Sequence, residues 1–211
     1  MKSKRAFSNI SRIYCFADNL PLCKKLLDGG AKIIQFRDKQ ADDNFFYQSA
    51  KEMLSLVRQY DDAILIINDR VDIALEVNAD GIHIGQEDEN FYNVLDRVPN
   101  EMIVGVSVDT AAQAIEAEKT GASYIGAGSV FPTPSKSDAK IIGINALRDI
   151  VKSVNIPIVA IGGISLKNIR EVMETGVQYF AMISEINTAQ NISARLKELA
   201  EILQTSPTTL L

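Results

Sequence analysis

The sequence predicts an α/β fold, a single (β/α)8 TIM barrel, and three observations carry that expectation. Eight short apolar or β-branched runs recur from end to end. Each is followed by a polar turn and a stretch with helical spacing. The 211 residues suffice for one complete barrel, near the lower end of the usual range. Strands alternating with helices imply a parallel sheet, and eight such units close on themselves. An open doubly wound sheet is the alternative arrangement of the same alternation.

The strand runs are 12–17, 32–36, 64–67, 81–84, 103–106, 124–127, 158–161 and 179–183. Several are apolar almost throughout, as strands buried on both faces require. The longest helical stretch spans about 43–60. Another, about 110–119, carries alanines on one side and Glu116, Glu118 and Lys119 on the other. The last, near 192–203, spaces Leu196, Leu199 and Leu203 by three to four residues. Gly29-Gly30, Gly121 and Gly176 sit where helices end, the place where a left-handed cap is cheapest. No linker or low-complexity segment interrupts the rhythm, so residues 1–211 read as one domain with ends that fray near 1–10 and 204–211.

Composition excludes several classes of function. Net charge is −5 and Lys and Arg form no run, which argues against nucleic acid as the main partner. No apolar run approaches membrane-spanning length, and the basic start (Lys2, Lys4, Arg5) is followed by polar residues rather than a signal-peptide core. A cytoplasmic location is therefore expected, and Cys15 and Cys23 fit a reduced interior. His83 is the only histidine and no C-x-x-C occurs, so no zinc site is expected.

In such a barrel the chemistry gathers at the C-terminal ends of the strands. After the second strand, Gln35-Phe36-Arg37-Asp38-Lys39 alternates so that Gln35, Arg37 and Lys39 share one side. Two cations and an amide at one mouth suit a polyanion such as pyrophosphate beside a heterocycle; equally, the charges could pair with Asp38 and Asp42. Asn68 and Asp69 follow the third strand, and Asp88 follows the fourth. Asp69 and Asp88 can offer two carboxylates to one Mg2+, or each can cap the helix after it. His83 reads as a core histidine bonded to backbone. Ser107 ends the fifth strand, where a hydroxyl can touch substrate or cap the next helix. The loop after the sixth strand carries Thr133, Ser135 and Lys136 between prolines, a composition that suits closure over a phosphate. Gly162-Gly163 after the seventh strand and Ile183-Ser184 after the eighth occupy the usual phosphate cradle, unless the glycines only serve a tight turn.

Together these segments resemble the thiamine-phosphate synthase family over nearly the whole chain: QFRDK (35–39), INDRVDIALEVNADGIHIGQED (67–88), GVS (105–107), GASYIGAGSVFPTPSK (121–136), AIGGI (160–164) and MIS (182–184). The resemblance implies a transferase that condenses 4-amino-2-methyl-5-hydroxymethylpyrimidine diphosphate with 4-methyl-5-(2-phosphoethyl)thiazole in a dissociative, Mg2+-assisted step. It implies that Gln35, Arg37, Lys39 and Asn68 hold the pyrimidine and its pyrophosphate, and that Asp69 and Asp88 ligate Mg2+. Ser107 would lie beside the pyrimidine, and Thr133, Ser135, Gly163, Ile183 and Ser184 would take the thiazole phosphate. Lys136 would reach the pyrophosphate, with Arg37 and Ser107 as the other catalytic groups. Partners are then phosphorylated heterocycles, with neither nucleic acid nor membrane; a homo-oligomer is compatible with the resemblance.

Val108-Asp109, Ser129, Glu185 and Ala17 depart from the family's usual residues, and Asp109 or Glu185 would weaken anion binding if turned inward. Two other readings compete. A thiazole tautomerase on the same barrel would not need the pyrophosphate and magnesium residues. A non-catalytic barrel that binds thiazole phosphate would have no use for the metal aspartates.

Overall fold

The structure is a computed structural model that describes residues 11–86, 88, 91–133 and 140–204. Strands β1 (Ile13–Ala17), β2 (Ile33–Phe36), β3 (Ile64–Asn68), β4 (Gly81–Ile84), β5 (Ile103–Val108), β6 (Tyr124–Ala127), β7 (Ile158–Ile161) and β8 (Tyr179–Ala181) each pair in parallel with the next, and β8 closes on β1. Around them run α1 (Leu20–Asp28), α2 (Asp43–Val57), α3 (Val71–Glu76), α4 (Phe91–Arg97), α5 (Ala111–Thr120), α6 (Gly143–Ser153), α7 (Ile169–Met173), α8 (Ile183–Asn187) and α9 (Ile192–Gln204). The sheet is a closed (β/α)8 barrel, not an open one.

The helices start where short polar side chains can accept a backbone N–H. Asn19 accepts from Leu22 N at 2.9 Å and Asp42 from Phe45 N at 2.8 Å. Thr110 and Gln113 form a reciprocal capping box at α5. Two end features differ from expectation. The run 179–183 stops being strand at Ala181, because Ile183 opens α8; a continuous apolar run hides that switch. After α1 it is Gly30, at φ +93°, that takes the left-handed turn, while Gly29 stays right-handed.

Alternate strand residues face opposite ways and build two apolar layers. Tyr14, Phe16, Ile33, Ile66, Ile103, Tyr124, Val159, Tyr179 and Ala181 pack inside the barrel. Residues of the other parity, such as Ile34, Phe36, Leu65 and Ile67, pack against the helices; Phe36 stacks on Phe46 of α2 with ring centroids 4.2 Å apart. Arg12 fastens the bottom, donating to Leu203 O at 2.6 Å and Gln178 O at 2.9 Å, which ties α9 to the β8–β1 seam.

Large rings inside a narrow barrel need small neighbours. A Cβ at Gly105 would lie 2.1 Å from Tyr124 Cζ. Gly105→Ala is therefore expected to cost about 1–3 kcal/mol of stability through overpacking. A denaturant melt with unchanged midpoint would show that Tyr124 has room to move.

Candidate active site

The strand ends bring most of the sequence-predicted residues to one mouth. Gln35 is 2% exposed and lies inside the barrel, where its Nε2 donates to Tyr14 OH at 2.8 Å. Phe36 faces the helices, so the alternation that separates Gln35 from Phe36 holds. Arg37 and Lys39 form no ion pair among the described residues. The carboxylates that could have neutralised them are otherwise engaged: Asp38 accepts from Gln40 N and Ala41 N, and Asp42 caps α2. Two cations at the end of β2 without a carboxylate partner among the described residues suit an anionic ligand.

A cavity of about 180 Å3 opens beside Lys39, lined also by Asp38, Asn68, Asp69 and Arg70. Arg70 is already committed, paired with Asp43, donating to Ala41 O at 3.0 Å and lying over the Phe46 ring. Lys39 remains to face the Asp69 carboxylate. A larger open cleft of about 610 Å3 is lined by Asp18, which precedes α1, by Lys25 and Asp28 of α1, and by residues of the segment joining α8 to α9 such as Asn191.

Asp69 does not cap α3. It sits at φ +60°, and the residue before the helix is Arg70, which makes no side-chain cap. The Asp69 carboxyl instead lies within hydrogen-bonding distance of Asp88. Burial, reinforced by Asp88, pushes its pKa up to about 7, against smaller opposing pulls from Asn68 and Lys39. Asp88 also accepts from Gly85 N at 2.6 Å, which holds its loop against the end of β4. Two carboxylates sharing one small space repel each other unless a proton or a cation lies between them. Among the described residues no group of three or more His, Cys, Asp or Glu could hold a metal, so Asp69 and Asp88 stand as a pair. A pair of hard oxygens is the donor set that suits magnesium, which completes its shell with water and substrate phosphate.

Sequence reading missed a second polar cluster. His83 is not bonded to backbone through its ring. Its Nδ1 is 2.9 Å from Tyr124 OH and its Nε2 is 3.0 Å from Ser107 Oγ. Tyr124 OH is 2.7 Å from Tyr14 OH, so the cluster continues to Gln35. Ser107 is thus not a helix cap; Thr110 does that work. His83 is half-buried, and its packed surroundings push the imidazole pKa down to about 4 and keep it neutral at pH 7. Burial raises the pKa of both phenols, so they stay protonated. The signal was present in the sequence: Tyr14, Gln35, His83, Ser107 and Tyr124 are polar residues at positions of interior parity, as are Asn68 and Tyr179.

On the opposite side, the loop after β6 packs tightly on the turn after β7. Val130 N donates to Ile161 O at 2.9 Å and Phe131 N to Gly162 O at 3.1 Å. Ile142 N donates to Ser129 O at 2.8 Å, which closes the loop at its base. Gly162 and Gly163 take φ +100° and +61°, and a Cβ on either would strike Ser129 or Pro132. The glycines therefore serve a turn and a close contact at once. Thr133 lies on this loop; Ser135 and Lys136 lie outside the described residues. Ile183 and Ser184 open α8, at the neighbouring strand end.

The description "Thiamine monophosphate synthase" belongs to the family model that matches residues 10–186. The chain belongs to that family. Among its relatives, the thiamine-phosphate synthase of Pyrococcus furiosus is 46% identical over 181 residues, 86% of each chain. That of Ruminiclostridium cellulolyticum is 39% identical over 210 residues, covering 96% of this chain and 98% of its own. A solved structure, thiamine phosphate pyrophosphorylase from Pyrococcus furiosus, superposes with a TM-score of 0.84 at 43% identity, covering 91% of this chain and 95% of that one. This member of the thiamine monophosphate synthase family is accordingly a transferase. Among the described residues no helix is long and apolar enough to cross a membrane.

Two departures from the family's usual residues have local explanations. Glu185 pairs with Arg195 of α9, so its charge is answered on the helical layer. Ser129 donates its hydroxyl to Phe131 O at 2.7 Å and stiffens the base of the β6 loop.

Proposed function

We propose that this family member is a thiamine-phosphate synthase that joins 4-amino-2-methyl-5-hydroxymethylpyrimidine diphosphate to 4-methyl-5-(2-phosphoethyl)thiazole, giving thiamine phosphate and pyrophosphate. The observation that carries this reading is the placement of Lys39, which has no ion pair among the described residues, beside the Asp69 carboxyl that Asp88 crowds. A cation and a carboxylate pair so close together suit a diphosphate that arrives with a divalent ion, and Arg37 at the end of β2 adds a second cation to this reading. Magnesium, held by Asp69 and Asp88, would offset the charge that grows on the departing pyrophosphate.

The chain's own groups do the rest. Arg37 and Lys39 bind the diphosphate through charge-assisted hydrogen bonds, and Lys136 reaches it from the β6 loop. Gln35, Asn68 and Ser107 orient the aminopyrimidine. Thr133, Ser135, Gly163, Ile183 and Ser184 hold the thiazole phosphate so that its ring nitrogen faces the pyrimidine methylene. The aminopyrimidine is electron-rich enough for the C–O bond to break before the C–N bond forms. The oxygen leaves with the electron pair on pyrophosphate, and the thiazole nitrogen supplies the pair for the new bond. No protein nucleophile or base is needed. Isotope effects showing concerted displacement would overturn the dissociative order while leaving the overall reaction standing.

The decisive assay follows thiamine phosphate and pyrophosphate together, from purified protein, both heterocycles and Mg2+. Equal formation of the two, abolished by EDTA and restored by Mg2+, is the expected result. Folded protein that forms neither product would overturn the assignment and direct the next assay to isomerisation of the thiazole phosphate.

A further inference from the structure

Five strands contribute to one hydrogen-bonded chain across the barrel: Gln35 (β2), Tyr14 (β1), Tyr124 (β6), His83 (β4) and Ser107 (β5). None of the steps above uses its three middle members. The direction of its bonds follows from donor counting. Gln35 Nε2 can only donate, so the Tyr14 oxygen accepts and the Tyr14 hydrogen lies towards Tyr124. The Tyr124 oxygen accepts in turn, and its own hydrogen lies towards His83 Nδ1. A neutral imidazole with Nδ1 accepting carries its hydrogen on Nε2, which donates to Ser107 Oγ. The Ser107 oxygen is then the acceptor within the chain, and its hydrogen is left for the mouth. A half-turn of the Gln35 amide would reverse every bond and put the imidazole hydrogen on Nδ1.

We propose that this chain is a positioning device that fixes His83 as the Nε2–H tautomer and couples the polarity of Ser107 to that of Gln35. With Gln35 Nε2 committed to Tyr14, the amide keeps Oε1 as its acceptor while Ser107 keeps O–H as its donor. One acceptor and one donor on opposite sides of the barrel match a planar heterocycle that offers one N–H and one bare ring nitrogen, as an aminopyrimidine does. This specificity rests on the reading that Gln35 and Ser107 hold the pyrimidine. Tyr14, Tyr124 and His83 act through those two residues. A heterocycle with the opposite pattern would need the whole chain to reverse, which leaves buried hydroxyls wrongly aimed unless all five groups turn together.

Because His83 is the only histidine, a protein labelled with 15N-histidine gives the signals of a single imidazole. Long-range 1H–15N spectra of the substrate-free protein at pH 7 distinguish the two tautomers. The expected wild-type result is one species with the hydrogen on Nε2. Tyr124→Phe removes the donor facing Nδ1 and is expected to give a mixture. It should also raise KM for the pyrimidine diphosphate by about tenfold, with KM for the thiazole phosphate unchanged. Tyr14→Phe, which removes the 2.8 Å bond that orients the Gln35 amide, is the second variant should Tyr124→Phe not fold, with the same expectation. A wild-type spectrum with the hydrogen on Nδ1 or with mixed tautomers would overturn the proposal. So would a variant that keeps the pure Nε2–H form with both KM values unchanged. An inactive wild type with the Nε2–H tautomer and mixed tautomers in the variant would uphold the chain and overturn only the substrate assignment.

Discussion

Asp69→Asn is expected to lower turnover by about 10²–10³-fold, the usual cost of removing one group that stabilises developing charge, and yet to stabilise the metal-free protein. Asparagine is the informative replacement because residue 69 sits at φ +60°, where Asn is tolerated and a Cβ-only side chain is strained. The change therefore removes a charge without changing the backbone. The stability effect has a definite sign. The Asp69 pKa is raised in the folded state to about 7, so the folded protein holds a proton that the unfolded chain releases near pH 4. That proton favours the folded state fully below about pH 4, and its contribution is lost as pH rises through 7. In metal-free melts the two proteins should therefore be alike near pH 4. By pH 8 the variant should lead by on the order of 1–2 kcal/mol, after allowing for screening and for sharing of the proton with Asp88. Mg2+ should reverse the order at pH 8 by stabilising the wild type, since it replaces the lost proton. A variant less stable than wild type at pH 8 without metal would mean that Asp69 serves a structural hydrogen bond rather than a cation site.

The barrel was legible because its strands are apolar on both faces, and such runs stand out against the helices between them. Strand ends at Ile84, Ala127 and Ile161 fall where the run gives way to glycine. The end of β8 was not legible, since Met182 and Ile183 continue the apolar run while the backbone has already turned into α8. The polar side of the site divides in the same way. Gln35 declares itself by alternation, turned inward while Phe36 faces the helices; β2 ends at Phe36, so alternation does not reach Arg37 and Lys39. The chain from Gln35 to Ser107 does not declare itself, because its members are up to 110 residues apart in sequence at the Tyr14–Tyr124 contact and meet only when the barrel closes. Glu185 looked like a misplaced charge until Arg195 on α9 came beside it. Local patterns reveal which residues are available. Closure decides which of them touch.

Gly162→Ala is expected to damage binding of the thiazole phosphate far more than a comparable change at Gly121. Both glycines adopt positive φ, +100° and +110°, so an added Cβ strains either backbone by about 1–2 kcal/mol. Their surroundings differ. At Gly121 nothing lies within 4 Å of the added carbon, whereas at Gly162 it would fall 2.0 Å from Ser129 Oγ and 2.6 Å from Ser129 Cα. Ser129 is the base of the loop that carries Thr133, and its carbonyl accepts from Ile142 N at the other end of that loop. Pushing it away separates the β6 and β7 loops and strains the Phe131–Gly162 hydrogen bond. Gly162→Ala should lose about 2–5 kcal/mol of stability, the sum of strain and overpacking. KM for the thiazole phosphate should rise at least about tenfold, because displacement of this order at a reacting site costs up to 10²-fold. Gly121→Ala should lose only the strain and keep its kinetics. Steady-state kinetics beside thermal melts separate the two causes. If both variants lose thiazole phosphate binding equally, strain transmitted through the barrel is responsible and contact between the loops is not what shapes the phosphate site. A loss confined to Gly162→Ala makes the seating of one loop on the other the structural basis of that site.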